Sequence, residues 1–278
     1  MHKISDLLNP KKTISAIVEF TDIAGLVAGA SKGIGASTAI ELAKEGCNIV
    51  LVARNKEKLQ QLEEKISSQY QVKTLSIATD IKDFKNCKLI NQMSIASFSK
   101  VDILVNSAGA SQGGIFWEID DHIWEESFEL KVLGTIKMIK AVLPDMIKHK
   151  SGRIVNIIGN TGKQPSPRLL PGSSANAALL TINKGLGEEL APHGIVVNAI
   201  NPGPTKTERW ITLMEKLSKD TKRKIEDIEN DFIKDIPLNK LANPEDIAKI
   251  VLFLASNAAA NMTGTCITAD GGWTKGIV

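Results

Sequence analysis

The stretch that most limits what this chain can fold into is residues 23–46, IAGLVAGASKGIGASTAIELAKEG. Residues 23–28 form a short apolar run that reads as a buried strand. Glycines follow at Gly29, Gly33 and Gly35, residues 36–44 have helical character, and Gly46 stops the helix. A strand, a glycine turn and a helix in that order make the geometry of a dinucleotide phosphate site. Glycine lets the backbone turn tightly and approach a pyrophosphate closely. The unpaired N–H groups and positive dipole end of the helix then face the anion. A tight strand-to-helix turn with no ligand uses the same residues, so the later motifs must decide between the two.

Further apolar runs repeat the alternation. Residues 48–53 (NIVLVA), 72–78, 101–105 (VDILV), 153–158 (RIVNII) and 194–200 (GIVVNAI) read as strands, and a seventh falls within residues 263–272. Helical patterns lie between them, so the expected fold class is α/β: a Rossmann-type doubly wound parallel sheet of seven strands with helices on both faces. Residues 121–149 read as a long helical segment interrupted near Pro144, and its apolar positions run nearly all round it, as in a buried helix used partly for oligomer contact. Residues 208–235 are polar, Lys-rich and helical in pattern. Pro244, Glu245 and Asp246 suit the first turn of a helix. Residues 1–20, broken by Pro10, are expected to be an N-terminal extension, with residues 21–278 a single domain.

Composition narrows the class. A chain of 278 residues with 43% hydrophobic and 23% charged content fits one domain with a full core. A net charge of +3 gives no argument for nucleic acid or an acidic membrane as partner. The three cysteines, Cys47, Cys87 and Cys266, have no CxxC spacing, which argues against a disulfide framework and for a reducing, cytoplasmic setting; no metal site is expected. No apolar run reaches the ~18 residues of a membrane span, and MHKISDLLNPKK lacks the apolar region of a signal peptide. Tyrosine occurs once, as Tyr70.

The order Gly29-Ala30-Ser31-Lys32-Gly33-Ile34-Gly35 resembles the TGxxxGxG turn of the short-chain dehydrogenase/reductase family, with Ala28 where that family has Thr. Asn106-Ser107-Ala108-Gly109 is similar to its NNAG motif. Pro202-Gly203-Pro204-Thr205-Lys206-Thr207 is similar to PGxVxT, with Thr205 for an aliphatic residue. Residues 236–248 resemble IPLxRxxxPEDIA with Lys240 for Arg, and the likeness spans roughly residues 20–275. It implies cofactor binding at Gly29, Ser31, Lys32, Gly33, Ile34, Gly35, Asp80, Ile81, Asn106, Ala108, Gly109, Asn176, Pro202, Gly203, Thr205 and Thr207. It also implies a substrate lid at about 206–236 and a homodimer or homotetramer. Arg54 closes the second strand where an acid would hydrogen-bond the ribose of NAD; with Lys32 it favours NADP(H), against a merely solvated Arg at a strand end. Asp80 has a second reading, as N-cap of the helix after Ile81.

In the resembled family a small carbonyl or hydroxyl compound is the substrate, and an Asn, Ser, Tyr and Lys tetrad delivers the proton. Aligned through the flanking matches, Lys131, Gly159, Gly172 and Asn176 stand at those positions. Tyr70 lies between the second helix and the third strand and cannot be aligned there, so the usual relay is excluded. The replacement candidates are Lys131, Ser173 and Ser174. Burial lowers a lysine pKa towards neutrality, although a lysine also snorkels to solvent. Ser173 and Ser174 follow Pro171-Gly172 at a helix start and read equally as N-caps. Lys163 and Arg168 sit in a loop over the site, as holders of an anionic substrate or as plain surface charge; His122 reads as a solvated cap. Gly159 and Gly172 are expected to enlarge the pocket.

The leading expectation is an NADP(H)-dependent oxidoreductase with an atypical proton donor. The alternatives are a catalytically silent subunit that binds nucleotide or a related partner chain, and a non-redox isomerase or lyase on the same fold.

Overall fold

The computed structural model describes residues 20–109 and 112–276. The expected N-terminal extension lies outside them except for Phe20, which is buried. Seven parallel strands form one sheet in the order β3-β2-β1-β4-β5-β6-β7. They are β1 Ala24–Ala28, β2 Asn48–Ala53, β3 Thr74–Ala78, β4 Ile103–Asn106, β5 Gly152–Ile157, β6 Ile195–Pro202 and β7 Cys266–Ala269. Strand existence and order follow the apolar runs; the ends move by one to three residues, because each strand stops where its partner's register ends.

Successive residues of a strand point to opposite faces, and both faces are covered. Val27, Leu51, Val105, Val155 and Ile200 meet Leu42 of α1 (Gly33–Lys44), Leu59 and Ile66 of α2 (Lys56–Gln69) and Val251 of α9 (Pro244–Ala255). Leu26, Val50, Leu104 and Ile154 face Ile90 of α3 (Phe84–Phe98), Met138 and Val142 of α5 (Gly134–His149) and Leu190 of α6 (Leu170–Leu190). Two-sided burial is why these strands read as unbroken apolar runs rather than as alternations.

The segment expected as one helix broken near Pro144 is built otherwise. α4 (Asp121–Phe128) passes through a single π-turn, Glu129–Leu133, into α5, and Pro144 lies inside α5 without ending it. Met138, Ile139, Ala141, Val142 and Met146 are buried on either side of the proline, so packing overrides its local penalty. Lys140, whose carbonyl Pro144 leaves unbonded, is exposed to water.

Two helices, α7 (Glu208–Thr221) and α8 (Ile225–Lys234), cover the end of the sheet where the lid is expected. They share a small core of Trp210, Met214, Ile228, Ile236 and Leu241. Thr207 caps α7, its Oγ1 accepting the Trp210 N–H at 3.4 Å. α9 opens with Pro244 and a capping box between Asn243 and Asp246, as its sequence implies. Among the described residues no helix is long and apolar enough to cross a membrane, and no His, Cys, Asp and Glu group is arranged for a metal.

Candidate active site

A long cleft opens at the carboxyl ends of the strands, where the strand order reverses between β1 and β4. Its first end is the glycine turn. Gly29 has φ +89°, and a Cβ there would lie 2.6 Å from the Ala108 nitrogen. A Cβ on Gly35 would lie 2.2 Å from the Gly29 carbonyl oxygen. Gly33, at φ +57°, would bring its Cβ to 3.2 Å from Thr207. These approaches fix the turn against β4 and leave the start of α1, which has no side-chain cap, facing the cleft. Gly29, Ser31, Lys32, Gly33 and Ile34 line the cleft; Gly35 lies behind them and packs α1 onto the turn.

Beyond the turn, Arg54, Asn55 and Lys58 line the cleft at the end of β2. Asn55 caps α2 by accepting the Lys58 N–H at 2.8 Å. Arg54 pairs with no carboxylate among the described residues, whereas Lys32 and Lys58 both reach Glu208, at 3.2 and 2.8 Å. Asp80 and Ile81 line the cleft as well. Asp80 is not the cap of α3: Asp83 takes that role by accepting the Lys85 N–H at 2.8 Å, and Asp80 instead accepts the Lys82 N–H at 2.9 Å.

Ala108, Gly109, Pro202, Gly203, Thr205 and Thr207 also line the cleft. Asn106 does not: it is buried below, where its amide donates to Asn156 Oδ1 at 2.9 Å and braces β4 against β5. Thr205 turns its hydroxyl onto the Gly203 carbonyl at 3.0 Å.

At the far end Lys131 comes off the π-turn, 4% exposed and lining the cleft. A side chain on Gly109 would crowd it, with a Cβ 3.2 Å from Lys131 Cε. Its Nζ donates to Asn176 Oδ1 and, at 3.4 Å, to the Ile158 carbonyl. Asn176 in turn donates from Nδ2 to Thr161 Oγ1 at 2.9 Å. Both partners of the amine are neutral. Burial, and then the nearby Arg209 guanidinium, pull the Lys131 pKa down to about 7. The snorkelling alternative is thus excluded by position, since the amine ends inside the protein.

Gly159 and Gly172 join Lys131 and Asn176 in the lining. Gly159 does not enlarge the cleft as expected. It has φ +129°, and a Cβ there would come 2.8 Å from Asn176 Nδ2, so the asparagine amide fills that space. Ser173 and Ser174 are not brought into the cleft lining, nor are they caps. α6 begins at Leu170, so both lie within its first turns; Ser174 donates to the Leu170 carbonyl at 2.8 Å, and Ser173 Oγ is buried with no partner among the described residues. Tyr70 ends α2 and packs on a core face, away from the cleft lining.

Several lining residues were not singled out from sequence. Arg209 and Trp210 open α7, Trp273 follows β7, and His122, read as a cap, stands at the rim beside Asp120. The nearest sequence signal for Arg209 was its place just after Thr207. Arg168 lines the cleft; Lys163 instead lies 3.5 Å from Thr268 Oγ1.

Residues 24–218 match the family described as short chain dehydrogenase. The chain is 31% identical to the NADPH-dependent reductase BacG of Bacillus subtilis, over 90% of this chain and 97% of that one. It is 30% identical to the 3-oxoacyl-(acyl-carrier-protein) reductase FabG of Aquifex aeolicus, over 89% and 95%. The L-sorbose reductase of Gluconobacter frateurii, solved with NADPH and L-sorbose, superposes with a TM-score of 0.89 at 29% identity, over 94% of this chain and all of that one. Likeness of this extent makes this chain a member of the short-chain dehydrogenase/reductase family.

Proposed function

We propose that this protein is an NADP(H)-dependent oxidoreductase that interconverts a carbonyl and a hydroxyl compound, with Lys131 as the proton donor in place of a tyrosine. The residues present fit the cofactor. The glycine turn admits no side chain at Gly29 or Gly35, which suits a backbone surface for a pyrophosphate. Arg54, without a carboxylate partner among the described residues, and Lys32 suit a 2′-phosphate, and no acid stands at that strand end to select the unphosphorylated ribose. The named relatives that are NADPH-dependent or were solved with NADPH support the same choice.

The observation that carries the proposal is the buried Lys131 amine, held by Asn176 and the Ile158 carbonyl with a pKa near 7. A general acid works best when its pKa lies near the working pH. When bound, NADPH supplies a hydride to the carbonyl carbon. The Lys131 ammonium then gives its proton to the carbonyl oxygen, the C=O becomes CH–OH, and the neutral amine is reprotonated from water in the cleft. Asn176 holds Nζ in place throughout, and α7 with α8 acts as the lid over the substrate end. In this reading the family's Asn, Ser, Tyr and Lys positions are held by Lys131, Gly159, Gly172 and Asn176, and the working enzyme is a homodimer or homotetramer.

The test is NADPH consumption against a panel of ketones and aldehydes, with NADPH affinity measured separately by fluorescence. Turnover lost in Lys131→Ala while NADPH affinity stays intact supports the proposal. Intact NADPH binding with no turnover on any panel member favours a nucleotide-binding subunit without activity instead.

A further inference from the structure

The substrate end of the cleft carries a charge that its own residues leave unbalanced. Arg209, in the first turn of α7, lines the cleft and pairs with no carboxylate among the described residues. The carboxylate beside it in sequence, Glu208, is turned away onto Lys32 and Lys58. Arg209 is exposed in the open cleft, and the protein around its base lowers its guanidinium pKa. Lys131 and Arg209 line the same cleft, and the Arg209 charge acts on the Lys131 amine. Lys131 has only neutral partners there. Trp210, Leu213, Phe232 and Trp273 give the same cleft an apolar stretch of lining.

Glu118, Asp120 and Asp220 line the same cleft, but among the described residues no carboxylate pairs with Arg209 or Lys131. Two unpaired cations sharing a cleft repel each other, and an anion bound between them removes that repulsion. A guanidinium is the side chain best matched to a planar oxyanion, through paired N–H donors. The apolar stretch suits a hydrocarbon body. We propose that the substrate is an oxo acid with an apolar body, its carboxylate held by Arg209 while its carbonyl oxygen faces Lys131. The proposal rests on the oxidoreductase reading of the same cleft and names the substrate class for it. It also gives the substrate a part in loading the donor, because a carboxylate on Arg209 favours the charged form of Lys131.

The test is calorimetric binding to the full chain saturated with NADP⁺. The probes are pyruvate, 4-methyl-2-oxopentanoate and phenylpyruvate, the methyl ester of each, and dihydroxyacetone phosphate. The expected result is that at least one acid with an apolar body binds about tenfold or more tightly than its ester, and that Arg209→Met and Arg209→Gln both abolish this preference, as for a lost charge-assisted pair. NADPH affinity stays within about twofold in both variants, a change too small to reflect a lost charged contact. Equal binding of acid and ester across all three pairs overturns the proposal. So does a loss of NADPH affinity in both variants with the acid preference intact, which assigns Arg209 to the cofactor. A preference for the phosphate ester over every acid overturns the carboxylate assignment. Acid preference that depends on Arg209, without any NADPH oxidation, upholds the anion site and counts against the oxidoreductase reading alone.

Discussion

At Gly29 and Gly35 the chain has no room for a methyl group; at Lys131 it has made room for a four-carbon side chain and its amine. The two places lie in one cleft and are built on different physics. The glycine turn is a matter of backbone approach, with contacts of 2.6 and 2.2 Å awaiting any added Cβ, and nothing there depends on protonation. The reaction end is a matter of charge, with a buried amine between neutral acceptors and a guanidinium nearby. A surface that only has to fit a ligand tolerates few residue types. A proton donor needs only a titratable atom in reach, and side chains other than a phenol supply one.

The largest effect that separates the two ends is expected from Gly35→Ala or Gly29→Ala. Each forces backbone to move, and an alanine at Gly29 must also hold a φ of +89° that side-chain-bearing residues rarely adopt, so a cost of about 1–3 kcal/mol or more follows. NADPH affinity measured by fluorescence is expected to collapse in both variants, with a lower Tm by calorimetry. Retained affinity would break the claim that close approach builds this end.

Next comes Lys131→Ala, with turnover reduced by roughly 10²–10⁴ and NADPH affinity preserved. The same site carries a stability signature, read with Lys131→Met. The folded pKa of about 7 is below the usual value of 10.5, so between those pH values the unfolded chain holds a proton that the folded chain does not. Wild-type stability therefore rises with pH across that window. The Met variant is expected to gain most over wild type at pH 6 to 7 and to lose that advantage towards pH 10. Urea midpoints at several pH values measure it, and a pH-independent difference would show the amine to be unstrained by burial.

Smaller effects sharpen the cofactor end. Arg54→Ala is expected to narrow the preference for NADPH over NADH by about tenfold, the scale of one charge-assisted contact, in paired affinity measurements. Thr207→Ala removes the cap of α7, at about 1 kcal/mol, read as a lower Tm with the rest of the fold intact.

The fold was legible because its signals are local. Apolar runs bounded by glycine, asparagine or proline mark the strands other than β3, and the glycine turn announces the cleft before any partner strand is known. Membership of the cleft lining was legible where position in the chain decides it, as at Lys32, Arg54 and Gly203, and at Lys131, which the motif register alone singled out. It was not legible where contacts across the chain decide it. Nothing near Gly159 says that the Asn176 amide will occupy its missing side chain. Nothing near Ser173 says that α6 begins before it and turns its hydroxyl into the core. Pro144 reads as a break because its cost is local, while the packing that overrides it comes from α3 and the sheet.

The central claim, that Lys131 is the acid, is tested most directly by the pH dependence of kcat/KM for carbonyl reduction in wild type and in Asn176→Asp. In wild type the activity is predicted to fall as pH rises through about 7, as the Lys131 amine loses its proton. A carboxylate at position 176, against the same nitrogen, is predicted to move that limb upward by about one unit or more. A limb unmoved by the aspartate, or one that persists in Lys131→Ala, would contradict the assignment.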